Sequence, residues 1–234
     1  MQGKHYCVGV GPGDPELMTL KAVRMLKECD VIAVPMGDNG AMTAREIISK
    51  IIAPGEKQEI IMRMPMSKQK AIVARAHQEA AASIKEKLER GLTVVSITLG
   101  CPTVYATCIY VHKVLRKAGY DSQIVPGVTS FCAAAARLNI ALVEEAEPLV
   151  VIPGSYPAPE ELLSAHGTKV IMKSGRELGK VIEVLQCRKL LDKAAMVERC
   201  GLQDEKVYRD LRQANKDAGY FSLLLVKEKG LENK

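Results

Sequence analysis

Short continuous apolar runs alternate with stretches of helical spacing along this chain, and that alternation predicts an α/β fold. His5–Val10 reads as a buried strand. Leu17, Leu20, Val23 and Leu26 recur at helical spacing, so residues 15–29 are expected to form an amphipathic helix capped by Asp14, with Pro15 in its first turn. Val31–Val34 reads as the next buried strand. Strand, helix and strand within this length make a βαβ unit, whose right-handed crossover sets the strands parallel. A loop at 37–40 and a helix over 41–52 follow, stopped by Pro54-Gly55. Then come a strand over Glu59–Met64 and a long charged helix over Lys68–Arg90, closed by Gly91. Thr93–Leu99 is a further apolar strand, followed by a helix over 103–118, a strand at Gln123–Val125 and a small-residue helix over Phe131–Leu138. Beyond residue 140 the order restarts. Strands are expected at Leu149–Ile152, Lys169–Met172, Ala194–Val197 and Phe221–Val226, with a helix over Glu177–Leu191 and a turn-rich connection at 154–159. Two α/β domains follow from this, residues 1–126 and 127–234, with a cleft between them.

Three turns stand at the C-terminal ends of strands, where ligands collect in an open parallel sheet. The first carries Gly9, Gly11 and Gly13 around Pro12. Three glycines within five residues let backbone approach a ligand closely, and Pro12 removes one N–H. The spacing is G-x-G-x-G, not the G-x-G-x-x-G of dinucleotide sites, and no Gly-Lys-Ser/Thr closes a P-loop. The second turn is Gly100-Cys101-Pro102-Thr103 and the third Pro126-Gly127-Val128-Thr129-Ser130. Taken singly, the first is equally a tight βα turn and the third a well-capped helix start.

Composition narrows the classes. A 47% hydrophobic content over 234 residues is ample for a buried core. No apolar run approaches the roughly 18 residues of a membrane span, and no signal-peptide layout opens the chain, so a cytoplasmic protein without a membrane partner is expected. The cysteines number seven and show no C-x-x-C pairing, which reads as reduced thiols with no zinc site and no disulfide framework. A net charge of +6 with only 4% aromatic residues disfavours nucleic acid and equally suits a small polyanion. No Ser-His-Asp spacing, H-E-x-x-H or paired carboxylates stand out, so hydrolytic and protein-metal chemistry have no candidate.

Read together, Val8–Ala22, Gly100–Tyr105 and Val125–Ser130 resemble, in order and spacing, the three signature segments of the tetrapyrrole methylases, and the resemblance extends over nearly the whole chain. These are S-adenosylmethionine-dependent methyltransferases of corrin and sirohaem synthesis. Asp30–Pro35, Thr103–His112 and Phe131–Val143 look most like the branch that methylates C20 of precorrin-2 or its cobalt form, cobalt-factor II, in cobalamin biosynthesis. The resemblance implies two α/β domains, a homodimer, a polycarboxylate tetrapyrrole substrate, and S-adenosyl-L-methionine bound between the domains, leaving as S-adenosyl-L-homocysteine. Carried over by position, the cofactor contacts are Pro12, Leu99, Gly100, Cys101, Val104, Thr129 and Ser130, with Lys173 and Cys200 from the C-terminal half. One departure is Cys101, which stands where the family usually has aspartate; a thiol lacks the paired acceptor oxygens of a carboxylate. That leaves open a sibling methylase acting on another ring carbon, or a protein that binds cofactor or tetrapyrrole without turnover. For loss of the ring proton, Tyr105 and His112 are the candidates, with packing as the alternative. Arg63, Lys173, Arg176 and Arg199 are candidates to pair with substrate carboxylates, with surface solvation the alternative for each.

Overall fold

The computed structural model describes residues 2–67, 69–154, 160–215 and 219–231, apart from the side chains of 160, 161 and 176. The expected connection at 155–159 and the first residue of the 68–90 helix lie outside them. The chain divides into two compact units, residues 1–129 and 130–234.

In the first unit, five strands form one parallel sheet: β1 (His5–Gly9), β2 (Val31–Met36), β3 (Gln58–Arg63), β4 (Val94–Thr98) and β5 (Ser122–Val125). Their order is β3-β2-β4-β1-β5. β1 therefore lies between β4 and β5, which is why its sequence is a continuous apolar run and not an alternation. His5 stands opposite Val94 on one side and Ser122 on the other. The helices are α1 (Leu20–Glu28), α2 (Thr43–Ile48), α3 (Lys70–Glu89) and α4 (Cys108–Lys117). Ala80, Ile84 and Leu88 of α3 and Val111 and Leu115 of α4 pack on Val31, Ala33, Met62 and Val94. Each large aliphatic side chain buried there contributes about 2 kcal/mol.

α1 and α4, which follow the first two glycine turns, begin later than periodicity predicts. Asp14 does cap Pro15, but it caps a single 3-10 turn, accepting from Glu16 N–H at 2.9 Å. The backbone is extended again at Met18 and Thr19, and α1 starts at Leu20 with Thr19 Oγ1 accepting from Ala22 N–H at 3.1 Å. α4 likewise starts at Cys108, five residues after the expected 103. Both delays leave loop backbone at the C-terminal edge of the sheet.

The second unit opens with α5 (Ser130–Leu138) and is built on β6 (Leu149–Pro153), α6 (Glu160–Ser164), β7 (Thr168–Met172), α7 (Leu178–Cys187), β8 (Ala194–Glu198), β9 (Lys206–Tyr208) and β10 (Ser222–Val226). The strand order is β6-β7-β10-β8-β9, with β10 antiparallel to β7 and β8. Its sheet is thus mixed, unlike the first. Among the described residues no helix is long and apolar enough to cross a membrane.

The expectation of seven reduced thiols is corrected. Cys7 on β1 and Cys108 at the start of α4 form a disulfide across 101 residues. With Ala106 and Ile124 they make a small buried cluster where α4 crosses β1. Sequence spacing carries no sign of a contact that depends on which helix covers which strand. The cysteine pattern therefore no longer argues for a reducing compartment.

Candidate functional site

The three glycine turns meet because β4, β1 and β5 are neighbours and end at the same edge. Beyond β1, Val10 N–H donates to Thr98 O at 2.9 Å and Gly100 N–H to Gly11 O at 2.7 Å. Gly11 and Gly100 both have positive φ, +80° and +70°. A Cβ on Gly9 would stand 2.4 Å from Gly100 O and 2.8 Å from Gly127 N, and a Cβ on Gly127 would stand 2.3 Å from Gly100 O. The obstacles are backbone atoms, so neither position admits a side chain. One glycine from each turn makes the crossing.

Around it lie the residues nominated from sequence. Pro12, Gly100 and Cys101 are buried, and Leu99, Val104, Thr129 and Ser130 are half-buried. Thr129 Oγ1 is buried with no hydrogen-bond partner. Such an orphaned hydroxyl is rare unless a ligand or water completes it. The Cys101 thiol lies 3.1 Å from Thr103 Oγ1. Burial pushes the thiol up, but hydrogen bonds from the Thr103 hydroxyl and from the Gly127 and Thr103 backbone outweigh it and hold it below its ordinary value. A glycine-only crossing, backbone donors and an orphaned hydroxyl fit a small polar ligand such as a nucleoside. Tyr105 stands at the same edge, 47% exposed and in the left-handed region at φ 48°. Non-glycine residues pay strain for that conformation and cluster at functional sites.

His112 is elsewhere. Its Nδ1 lies 2.7 Å from Ser122 Oγ, which also meets His5 Nδ1 at 2.7 Å, and His5 Nε2 meets Ser96 Oγ at 2.8 Å. These residues sit toward the N-terminal ends of the strands. At about 3.3 Å per residue, His5 is about 13 Å from Gly9. His112 thus lies in a partly buried hydrogen-bonded chain away from the glycine crossing, the packing role that was the alternative for it. Burial, and then the nearby His112, lower His5 to about 3.

Arg63 closes β3 at the same edge as the glycine crossing, two strands away, and lines a cavity of about 600 Å³. In the second unit, Lys173 and Arg199 follow β7 and β8 directly, each with positive φ, 58° and 53°. Both cations are engaged: Lys173 lies over the Tyr220 ring at 5.3 Å, and Arg199 pairs with Asp204 at 2.5 Å. Cys200 is half-buried, and burial pushes its thiol up to about 11. The Arg176 side chain lies outside the described residues. Sequence reasoning passed over Ser174 Oγ and Glu198 Oε2, both buried without a partner at that edge of the second sheet. A missing partner is a property of packing, and no sequence signal marks it.

The model of the tetrapyrrole (corrin/porphyrin) methylases matches residues 4–214. The chain is 36% identical over 228 residues to a probable cobalt-precorrin-2 C(20)-methyltransferase of Methanocaldococcus jannaschii, covering 96% of each protein. It is 34% identical over 234 residues to the cobalt-precorrin-2 C(20)-methyltransferase of Salmonella typhimurium, covering 97% of each. Among solved structures, a cobalt precorrin-4 methyltransferase of cobalamin biosynthesis superposes with a TM-score of 0.74 at 22% identity, over 96% of this chain and 94% of that one. The uroporphyrin-III C-methyl transferase of Thermus thermophilus, complexed with S-adenyl homocysteine, gives 0.68 at 21%, over 97% and 98%.

Proposed function

The chain belongs to the tetrapyrrole (corrin/porphyrin) methylase family, and from that premise we propose that it transfers a methyl group from S-adenosyl-L-methionine to C20 of precorrin-2 or its cobalt complex in cobalamin biosynthesis. Two nearly full-length relatives carrying that activity in their names support the ring position. The observation that carries the reading is the crossing of Gly9, Gly100 and Gly127 beside the orphaned Thr129 hydroxyl.

The bound sulfonium supplies an already activated methyl group for attack by an electron-rich ring carbon. The chain's part is to bind, orient and exclude water. Pro12, Leu99, Gly100, Cys101 and Val104 are the candidate cofactor contacts of the first two turns, and Thr129 Oγ1, buried without a partner, offers a polar contact from the third. Cys101, 3.1 Å from the Thr103 hydroxyl, keeps a polar contact at the position where the family usually has aspartate. Tyr105, at the same edge, is the remaining candidate to accept the ring proton; His112 has no route to it. Lys173 and Cys200 remain candidate cofactor contacts and Arg63 a candidate substrate contact. We take the enzyme to work in the cytoplasm as a homodimer, which sedimentation at micromolar concentration checks.

The test is an anaerobic incubation of protein and S-adenosyl-L-methionine with cobalt-factor II and, separately, with precorrin-2. One methyl gained at C20, with S-adenosyl-L-homocysteine released, is the expected result. A methyl at another ring carbon would move the protein to a sibling specificity, and no transfer to either ring would overturn the proposal.

A further inference from the structure

The cavity beside β2 and β3 is a second feature of the same sheet edge, distinct from the glycine crossing. Its lining runs from Met36, Gly37 and Asp38 after β2, through Arg63, Met64 and Pro65 after β3, to Ile72, Arg75 and Glu79 on α3. Its walls are ordered by their own hydrogen bonds. Met64 N–H donates to Met36 O at 2.9 Å, prolonging the β2–β3 ladder. Met66 N–H donates to Asp38 Oδ2 at 3.0 Å, tying the two loops together. Apolar surface is left open around it, with Met66 62% and Ile72 46% exposed.

The charges within the cavity are not equivalent. Asp38 accepts the Met66 N–H, and Arg75 is neutralised by Glu79 at 2.7 Å. Arg63 alone, among the described residues lining the cavity, has a guanidinium with no ion pair or hydrogen bond. An apolar, preformed recess with a single uncommitted guanidinium at the end of an edge strand recognises a flat apolar body bearing a carboxylate. Asp38 in the lining acts the other way, repelling a second carboxylate from the same recess.

We propose that this cavity seats one acid-bearing edge of the tetrapyrrole, with Arg63 as the residue that selects for a carboxylate there. The inference deepens the function proposed above and rests on it for the identity of the ring. Two strands, at about 4.8 Å each, separate the end of β3 from that of β4. A macrocycle anchored at Arg63 therefore reaches toward the glycine crossing with its opposite edge.

The experiment measures binding of uroporphyrin and of its octamethyl ester by fluorescence quenching, with wild type and Arg63→Gln, and binding of S-adenosyl-L-homocysteine by calorimetry as the internal control. Arg63→Gln is expected to weaken uroporphyrin about tenfold, from the loss of a charge-assisted hydrogen bond. The ester, lacking the carboxylate, is expected to bind both proteins alike, and S-adenosyl-L-homocysteine affinity to stay within about twofold. Equal uroporphyrin affinity for the two proteins, or no binding to wild type, overturns the inference. Failure of wild type to bind S-adenosyl-L-homocysteine strikes instead at the proposed function, leaving the Arg63 comparison to be judged on its own.

Discussion

His5 is wholly buried yet hydrogen-bonded through both ring nitrogens, to Ser96 on β4 and Ser122 on β5. A neutral imidazole has one N–H and one acceptor, so the chain from Ser96 through His5 and Ser122 to His112 has a direction that His112 sets. A protonated His112 donates to Ser122, which then donates to His5 Nδ1 and leaves Nε2–H for Ser96. Protonating His5 itself places a charge at a wholly buried site. Its value falls from 6.5 to about 3 on folding, so between those limits the unfolded chain binds a proton that the folded chain does not. Stability from this group is full above about pH 6.5 and declines as pH falls toward 3. At pH 5 the loss is about 2 kcal/mol, at roughly 1.4 kcal/mol per pH unit. Urea unfolding at pH 7 and pH 5 checks it: the wild-type loss is expected to shrink in His5→Asn, and an equal loss in both would contradict it. The glycine crossing gives a second expectation at this scale. Gly127→Ala puts a methyl 2.3 Å from a backbone oxygen and should abolish ligand binding or folding, whereas Gly40→Ala, at φ +77° with nothing within 4 Å, should cost only about 1 kcal/mol. Thermal melts of the two variants separate these outcomes. For Cys101, alanine leaves the Gly127 and Thr103 donors unmet and should weaken S-adenosyl-L-homocysteine about tenfold, while aspartate should hold it within about twofold. Equal weakening by both would show that the donors do not matter.

Among the elements, strands were more legible than helices. The apolar runs at His5, Val31 and Thr93 each became a strand with ends shifted by one or two residues, because a fully buried parallel strand has no competing pattern. Helices α1 and α4 began five residues late, because the backbone of 15–19 and 103–107 is spent on turns that leave the strand ends open. The same apolar residues satisfy a helical spacing whether or not the first turn forms. β9, three residues long, gave no periodic signal at all. The Cys7–Cys108 disulfide ties β1 to the first residue of α4 and closes a loop of 101 residues. In the chain-entropy model that stabilises by about 4–5 kcal/mol. Thiol titration of unfolded, unreduced protein should find five groups of the seven cysteines, and reductant should lower the urea midpoint. Seven titrating thiols would contradict the pairing.

For the molecule as a whole, two α/β units and the three glycine turns were readable from sequence, but the turns' meeting point was not. That Gly9, Gly100 and Gly127 touch depends on β1 lying between β4 and β5, which the order of strands along the chain does not specify. The same topology carries His112 to the opposite end of the sheet, although in sequence it lies close to the second turn. The central claim is that this crossing is a ligand seat completed by Thr129, and calorimetric titration of S-adenosyl-L-homocysteine into wild type and Thr129→Val tests it most directly. The orphaned hydroxyl predicts an unusual pair of effects. Removing it should leave the free protein as stable or slightly more so, since an unsatisfied buried group is lost, and should weaken the ligand about tenfold. Unchanged affinity in the variant, or a hydroxyl whose loss destabilises the free protein by as much as it weakens binding, would contradict the account.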